Sequence, residues 1–383
     1  MMIYLDNNAT TRVDPEVINA MLPFFESEYG NPSNYLTQYG SDISKRIDKC
    51  RSILVEYFSA QSINDFIFTS GATESNNMVI RGLVEGNLNK PIHIVVSSIE
   101  HKSILSLCRF LSNHNHNVSC TYLPVDTDGH ISIKQLIESI RDNTILVSIM
   151  GANNEIGTIN PIEEISEICH SKNILFHSDI TQLVANQRLC LVKASPDLLT
   201  FSAHKIHGPK GVGCLYANIN ARKMLHPLFW GGNQQNGMRS GTLNVPGIVG
   251  LTKAVELLDK RIDTDIRHIT KLRNLLLENL KRLRVAVNGD LNNRLANNLN
   301  IILPDTTSLF LHSYMPEVVF SSSSACITGE ESYVLKAIGR NKKQLDCSVR
   351  FGLSRFTTEN EIDYVSNQII DATFYRKTII DNN

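Results

Sequence analysis

Between residues 65 and 217 apolar strand patterns alternate with helical ones, and this alternation leaves few folds open. Apolar segments at 65–69, 92–98, 118–123, 144–149, 174–178, 198–201 and 212–217 read as strands. Helical spacing of apolar residues marks 74–88, 102–114, 132–142 and 161–171. Strands separated in this way form a mostly parallel sheet with helices on both faces, an α/β architecture. Ahead of the run, Asp14-Pro15-Glu16 reads as a helix start, Pro23 as its kink or end, and 38–58 as a helix. After it, a helical pattern from 246 to 283 is long enough to lead out of the first domain. Beyond lie strands at 285–287, 298–303, 317–320 and 347–353, with helices near 307–314, 330–338 and 358–376. They interleave less regularly, as in a small α+β domain. A chain of 383 residues exceeds one typical core. We therefore expect a large domain over 14–255 and a small one over 1–13 and 256–383.

Charge and cysteine usage narrow the function classes. Net charge is −1 with no long block of one sign, so direct nucleic-acid or membrane binding is not expected. The first residues lack a basic and an apolar region, so no secretory signal is expected, and no apolar stretch is long enough to span a bilayer. Cysteines stand at 50, 108, 120, 169, 190, 214, 326 and 347 without a C-x-x-C pair, which suggests neither a metal site nor a disulfide framework. A cytoplasmic protein with reduced thiols is expected.

Several polar loops follow strand ends, at the edge where open α/β sheets place ligands. Ser70-Gly71-Ala72-Thr73 joins a strand to a helix and can be an anion site or simply a tight turn. Asp179 follows the strand at 174–178; it can cap a helix or hold a pyridinium nitrogen protonated, with Gln182 beside it on the same ring. Ser202-Ala203-His204-Lys205 ends the strand at 198–201. A lysine there can be solvated, or partly desolvated and nucleophilic enough to form a Schiff base. Glu100-His101-Lys102-Ser103 and Asn153-Asn154-Glu155 are further loops of this kind. Their convergence on one sheet edge makes a site. In the second half, Cys326 ends a serine run, Ser321 to Ser324, and suits either a buried inert thiol or an accessible reactive one. Arg350 alternates like a strand residue and needs a carboxylate partner, from the protein or from a substrate.

Assembled, these segments resemble the cysteine desulfurases of the NifS/IscS type, class V enzymes of fold type I that use pyridoxal 5′-phosphate. The resemblance runs from Tyr4-Leu5-Asp6-Asn7-Asn8-Ala9-Thr10-Thr11 to Arg355-Phe356-Thr357-Thr358, through Thr69 to Asn76, Glu100-His101-Lys102, Asn153 to Gly157, Asp179 to Gln182, Ser202 to Lys205, Arg239-Ser240-Gly241-Thr242 and Ser324-Ala325-Cys326. It implies a mostly parallel seven-stranded sheet in a large cofactor-binding domain, with the small domain carrying the catalytic cysteine. Lys205 would hold the cofactor as a Schiff base and shuttle protons, and Asp179 would pair with the pyridine nitrogen. His101 would stack on the ring and Gln182 would contact its phenolic oxygen. Ala72, Thr73, Ser202 and His204 would hold the phosphate. Thr242 would reach the cofactor phosphate of a partner subunit, implying a homodimer. Asn153 and Arg350 would position L-cysteine, and Cys326 would take its sulfur, with His101 as a proton acceptor. The persulfide would then pass to an acceptor protein serving iron–sulfur assembly, tRNA thiolation or DNA phosphorothioation.

The chain departs from the family pattern at Thr37, where members commonly carry His, and at Ser323, often Gly. Only Ile327 to Ser332 separate Cys326 from Tyr333, a short segment that weakly resembles the DndA-like branch. A selenocysteine lyase, a class V aminotransferase and a non-catalytic homologue share the scaffold. Cys326 argues against the first two, and the joint presence of Lys205, Asp179, Cys326 and Arg350 against the third.

Overall fold

The computed structural model describes residues 2–191, 195–322 and 330–381, with side chains to 378. Cys326 therefore lies outside the described residues. Strand β1 (Ile3–Tyr4) opens the chain and is followed by β2 (Phe66–Thr69), β3 (Ile92–Ser97), β4 (Val118–Leu123), β5 (Thr144–Ser148), β6 (Leu175–Asp179), β7 (Leu198–Ser202) and β8 (Gly213–Ala217). Strands β2 to β8 form one seven-stranded sheet in the order β2-β8-β7-β6-β5-β3-β4. Only β8 runs against its neighbours; β3, β4, β5, β6 and β7 pair in parallel. The expected α/β class and mostly parallel sheet are thus what the chain adopts. The strands match their sequence-based spans to within a residue at each end.

The sheet is buried on both faces because strand residues alternate between two apolar layers. Phe66, Phe68, Leu199 and Phe201 pack with the helices Gln38–Phe58 and Ile162–Ser171 on one side. Ile67, Leu198 and Leu215 pack with Ala72–Glu85 and Lys102–His114 on the other. Pro23 begins a separate short turn of helix after Pro15–Met21, as proline's missing N–H requires.

The remaining strands are β9 (Ala286–Val287), β10 (Asn298–Ile302), β11 (Val318–Val319), β12 (Ser321–Ser322) and β13 (Ser348–Gly352). β12, β13, β10 and β9 make an antiparallel sheet, while β11 pairs with β1. Their side chains form a separate core that includes Ile3, Leu5, Leu299, Ile301, Val349, Phe351 and Ile362. One helix, Val245–Asn279, serves both cores: Ile248 to Ile262 pack against the large sheet, Leu272 and Leu276 against the small one. At 1.5 Å per residue its 35 residues span about 52 Å. The pattern expected over 246–283 ends in a short turn, Lys281–Leu283.

Candidate active site

The parallel strands deliver their carboxyl-end loops to one edge, and a cleft of about 700 Å³ opens there. Ser70 to Glu74, His101, Asn154, Asp179, Thr181, Gln182, Ser202, His204 and Lys205 all line it. Because β8 is antiparallel, its amino end brings Lys210 and Gly211 to the same edge.

Lys205 and Asp179 come from the neighbouring strands β7 and β6, paired through Asp179 and Thr200. The ammonium of Lys205 donates to the carbonyls of Asn8 at 2.5 Å and Ala9 at 2.6 Å. Burial, and then the charge of Arg350, lower its pKa to about 8 against the opposite pull of Asp6 and Asp179. It is therefore a half-buried amine that gives up its proton well below the pH an ordinary lysine needs. The carboxylate of Asp179 is fixed at both oxygens, by Asn76 Nδ2 at 2.8 Å and by the N–H of Thr181 at 3.0 Å. Gln182 exchanges two hydrogen bonds with Asn8, through the Asn8 amide at 3.1 Å and its carbonyl at 3.0 Å.

The turn before the helix Ala72–Glu85 follows from close approach of two glycines. Gly71 has φ 156° and ψ 177°, a region reserved for glycine, and a Cβ on Gly213 would lie 2.6 Å from the Gly71 Cα. The first-turn N–H groups of such a helix lack intrahelical partners and favour an anion. Ala72 and Thr73 line the cleft at this point, with Ser202, His204 and Lys210 across from them. Burial, then the charges of Lys205 and Lys210, lower His204 to about 4, so its imidazole is neutral. His101 caps the helix Lys102–His114, its Nδ1 accepting from Ser103 N–H at 3.2 Å.

Arg350 reaches the cleft from β13. It already has a protein carboxylate: Nη2 donates to Asp6 at 2.8 Å and to Ser321 at 2.7 Å, and Nη1 to the Asn154 carbonyl at 3.0 Å. Two expected site residues stand elsewhere. Asn153 is fully buried behind the cleft wall, its amide donating to the Ile99 carbonyl at 3.0 Å and accepting from Glu155 and Ile156 N–H at 2.8 and 3.1 Å. Its neighbour Asn154 is the asparagine on the cleft. Thr242 is exposed on a surface loop beside Trp230, which is 79% exposed, and lines no part of its own chain's cleft. That loop is tied to the turn before the helix Ala72–Glu85, since Arg239 donates to Glu74 at 2.9 Å and Glu74 accepts from Ser70 N–H at 2.8 Å. The N-terminal segment, Asp6 to Thr10, was not singled out from its residues alone. Its signal was the dense run of hydrogen-bonding side chains in Asp6-Asn7-Asn8-Ala9-Thr10-Thr11.

Residues 3–365 match the model of the class V aminotransferase family. The chain is also 41% identical over 371 residues to the cysteine desulfurase IscS of Rickettsia prowazekii, covering 96% of this chain and 90% of that protein. The chain belongs to the cysteine desulfurases of the class V aminotransferases. Among solved structures, a NifS-like protein superposes with a TM-score of 0.91 at 34% identity, covering 98% of this chain and all of that one. SspA in complex with cysteine superposes with a TM-score of 0.82 at 31% identity, over 93% of this chain and 100% of that one. Within this desulfurase, no helix among the described residues is long and apolar enough to cross a membrane. The seven cysteines within those residues are free.

Proposed function

We propose that the cleft binds pyridoxal 5′-phosphate and that the enzyme converts L-cysteine to L-alanine, moving the sulfur onto Cys326. The observation that carries this reading is the pairing of a half-buried amine of lowered pKa, Lys205, with a twice-anchored carboxylate, Asp179, in one cleft at the ends of adjacent strands. The donor set fits the cofactor. Lys205 would hold its aldehyde carbon, Asp179 its ring nitrogen, Gln182 its phenolic oxygen, and His101 would face the ring. Ala72, Thr73, Ser202 and His204 would hold its phosphate, with Lys210 adding charge. When bound, the cofactor supplies an electron sink for the substrate carbons.

Arg350 and Asn154 would receive the amino acid, the arginine through its carboxylate. The Cys326 thiol would form a bond to the substrate sulfur as the Cβ–S bond breaks, and a proton would be added at Cβ. One thiol and one cysteine thus give one persulfide and one alanine. Lys205, its pKa lowered to about 8, would carry protons between substrate carbons. The segment 14–255 would form the cofactor domain, with 1–13 and 256–383 as the small domain. Two copies would pair so that Thr242 meets the partner's phosphate site, and a sulfur-acceptor protein would discharge the persulfide. The reduced cytoplasm is the compartment in which such a thiol persists.

The test is direct. Purified protein with added cofactor should be coloured and should release alanine and sulfide from L-cysteine with a reductant. Lys205→Ala should lose the colour and Cys326→Ala should keep it while losing sulfide release. A colourless wild type, or full sulfide release by Cys326→Ala, would overturn the reading.

A further inference from the structure

The N-terminal segment runs along the cleft and touches four of the groups that line it, Lys205, Gln182, His204 and Arg350. Main-chain pairing holds it: Asn7 N–H donates to the Gly352 carbonyl at 3.0 Å and Gly352 N–H to that of Leu5 at 2.7 Å. The approach is so close that a Cβ on Gly352 would lie 2.6 Å from the Asn8 nitrogen. From this track Asn8 and Ala9 reach Lys205, Asn8 reaches Gln182, and Thr10 meets His204 at 3.1 Å. Asp6 meets Arg350. Its Oδ1 accepts from Arg350 Nη2 at 2.8 Å and from Ser321 Oγ at 2.7 Å, while Ser321 itself accepts from Nη2 at 2.7 Å, closing a triangle.

A guanidinium has five N–H donors in a fixed plane. Asp6, Ser321 and the Asn154 carbonyl take three of those of Arg350. Among the described residues its Nε is buried without a partner, although Arg350 lines the cleft. We propose that Asp6 is the positioning residue of the substrate-carboxylate site: it aims Arg350 so that the second Nη1–H remains for the α-carboxylate of the amino acid. Asp6 has a second effect through the same geometry, because its charge opposes that of Arg350 at Lys205. A buried cation left uncompensated beside an amine disfavours the ammonium form. Asp6 thus couples the amino-acid end of the cleft to the cofactor end. This inference rests on the cleft being an amino-acid site and adds the residue that makes it selective for a carboxylate.

Asp6→Asn keeps the shape and the acceptor and removes the charge; Ser321→Ala removes the other prop and keeps the charge. In the loaded enzyme, KM for L-cysteine and the competitive inhibition constant of L-alanine should each rise roughly fivefold in Asp6→Asn, the loss expected for weakening a charge-assisted contact. Inhibition by ethylamine, a comparable amine without the carboxylate, should stay within about twofold. In cofactor-free protein, the pH midpoint for reaction of Lys205 with pyridoxal should fall in Asp6→Asn and hold in Ser321→Ala. Equal losses for L-alanine and ethylamine, or an unmoved midpoint in Asp6→Asn, would refute the role. The pyridoxal titration needs only Lys205, so it judges Asp6 even in a protein that proves unable to desulfurate cysteine.

Discussion

Glu100 offers the sharpest quantitative test of the electrostatics beneath the cleft. Its side chain is fully buried; Oε1 accepts from Ser97 Oγ at 2.6 Å and from Met150 N–H at 2.8 Å, and Oε2 has no partner among the described residues. Burial raises its carboxyl from an ordinary 4.5 to about 8, helped by the charge of Asp179 and opposed by those two hydrogen bonds. Between these pH values the folded chain keeps a proton that the unfolded chain has lost. Stability therefore declines as pH rises through that window, and the whole cost is carried above about 8. A gap of about 3.5 pH units at roughly 1.4 kcal/mol each amounts to about 5 kcal/mol. Glu100→Gln can keep both accepted hydrogen bonds through its oxygen and cannot ionise. Urea unfolding of cofactor-free wild type and variant should give equal stabilities at pH 5, to within about 1 kcal/mol. At pH 8.5 the variant should be more stable by several kcal/mol. A stability difference that stays constant between those two pH values would refute the neutral-carboxyl account.

Two further substitutions separate structure from chemistry. Gly213→Ala should destabilise the protein by about 1–3 kcal/mol and weaken cofactor binding in a fluorescence titration, because its Cβ would stand 2.6 Å from Gly71 Cα and 2.9 Å from the Phe201 carbonyl, both backbone. Asn153→Ala should lower the unfolding midpoint by an amount equivalent to about 2–4 kcal/mol, since it strips partners from two buried backbone groups and one part-buried one. Asn154→Ala should leave stability within about 0.5 kcal/mol and act on KM for L-cysteine instead.

The large sheet was legible because its strands are rich in apolar residues and punctuated by helices of clear period. Phe66 to Thr69 and Leu198 to Ser202 are buried at every position, the pattern of strands covered on both faces. The strand-end rule then placed Asp179 and Lys205 correctly at one edge. It was blind to what happens within a loop. Asn153 and Asn154 are adjacent and identical in kind, and only the turn at Asn153-Asn154-Glu155 decides which side chain is spent on backbone N–H groups. Long-range ion pairs were equally hidden: Asp6 and Arg350 lie at opposite ends of the chain, and an arginine on a strand does not announce its carboxylate. Glu74 and Arg239 each lie in a family-like motif, yet their pairing links a surface loop to the turn at Ser70–Thr73 by a contact with no local signature.

Opposed charges surround Lys205, and this explains why its pKa is lowered only to about 8. Lys205 and Arg350 face Asp179 and Asp6, while burial keeps His204 and His177 neutral, each lowered to about 4, and Glu100 protonated below about 8. His177 spends both ring nitrogens on hydroxyls, Ser148 at 2.8 Å and Thr200 at 3.0 Å, so it adds no charge beneath Asp179. Were Glu100 ionised, a second carboxylate would repel Asp179 and favour protonation there, where a ring nitrogen needs an anion. Were Asp6 uncharged, the charge of Arg350 at Lys205 would be less opposed and would depress the amine further. The neutral Glu100, His177 and His204 therefore leave Asp179 and Asp6 as the carboxylates whose charge acts on Lys205.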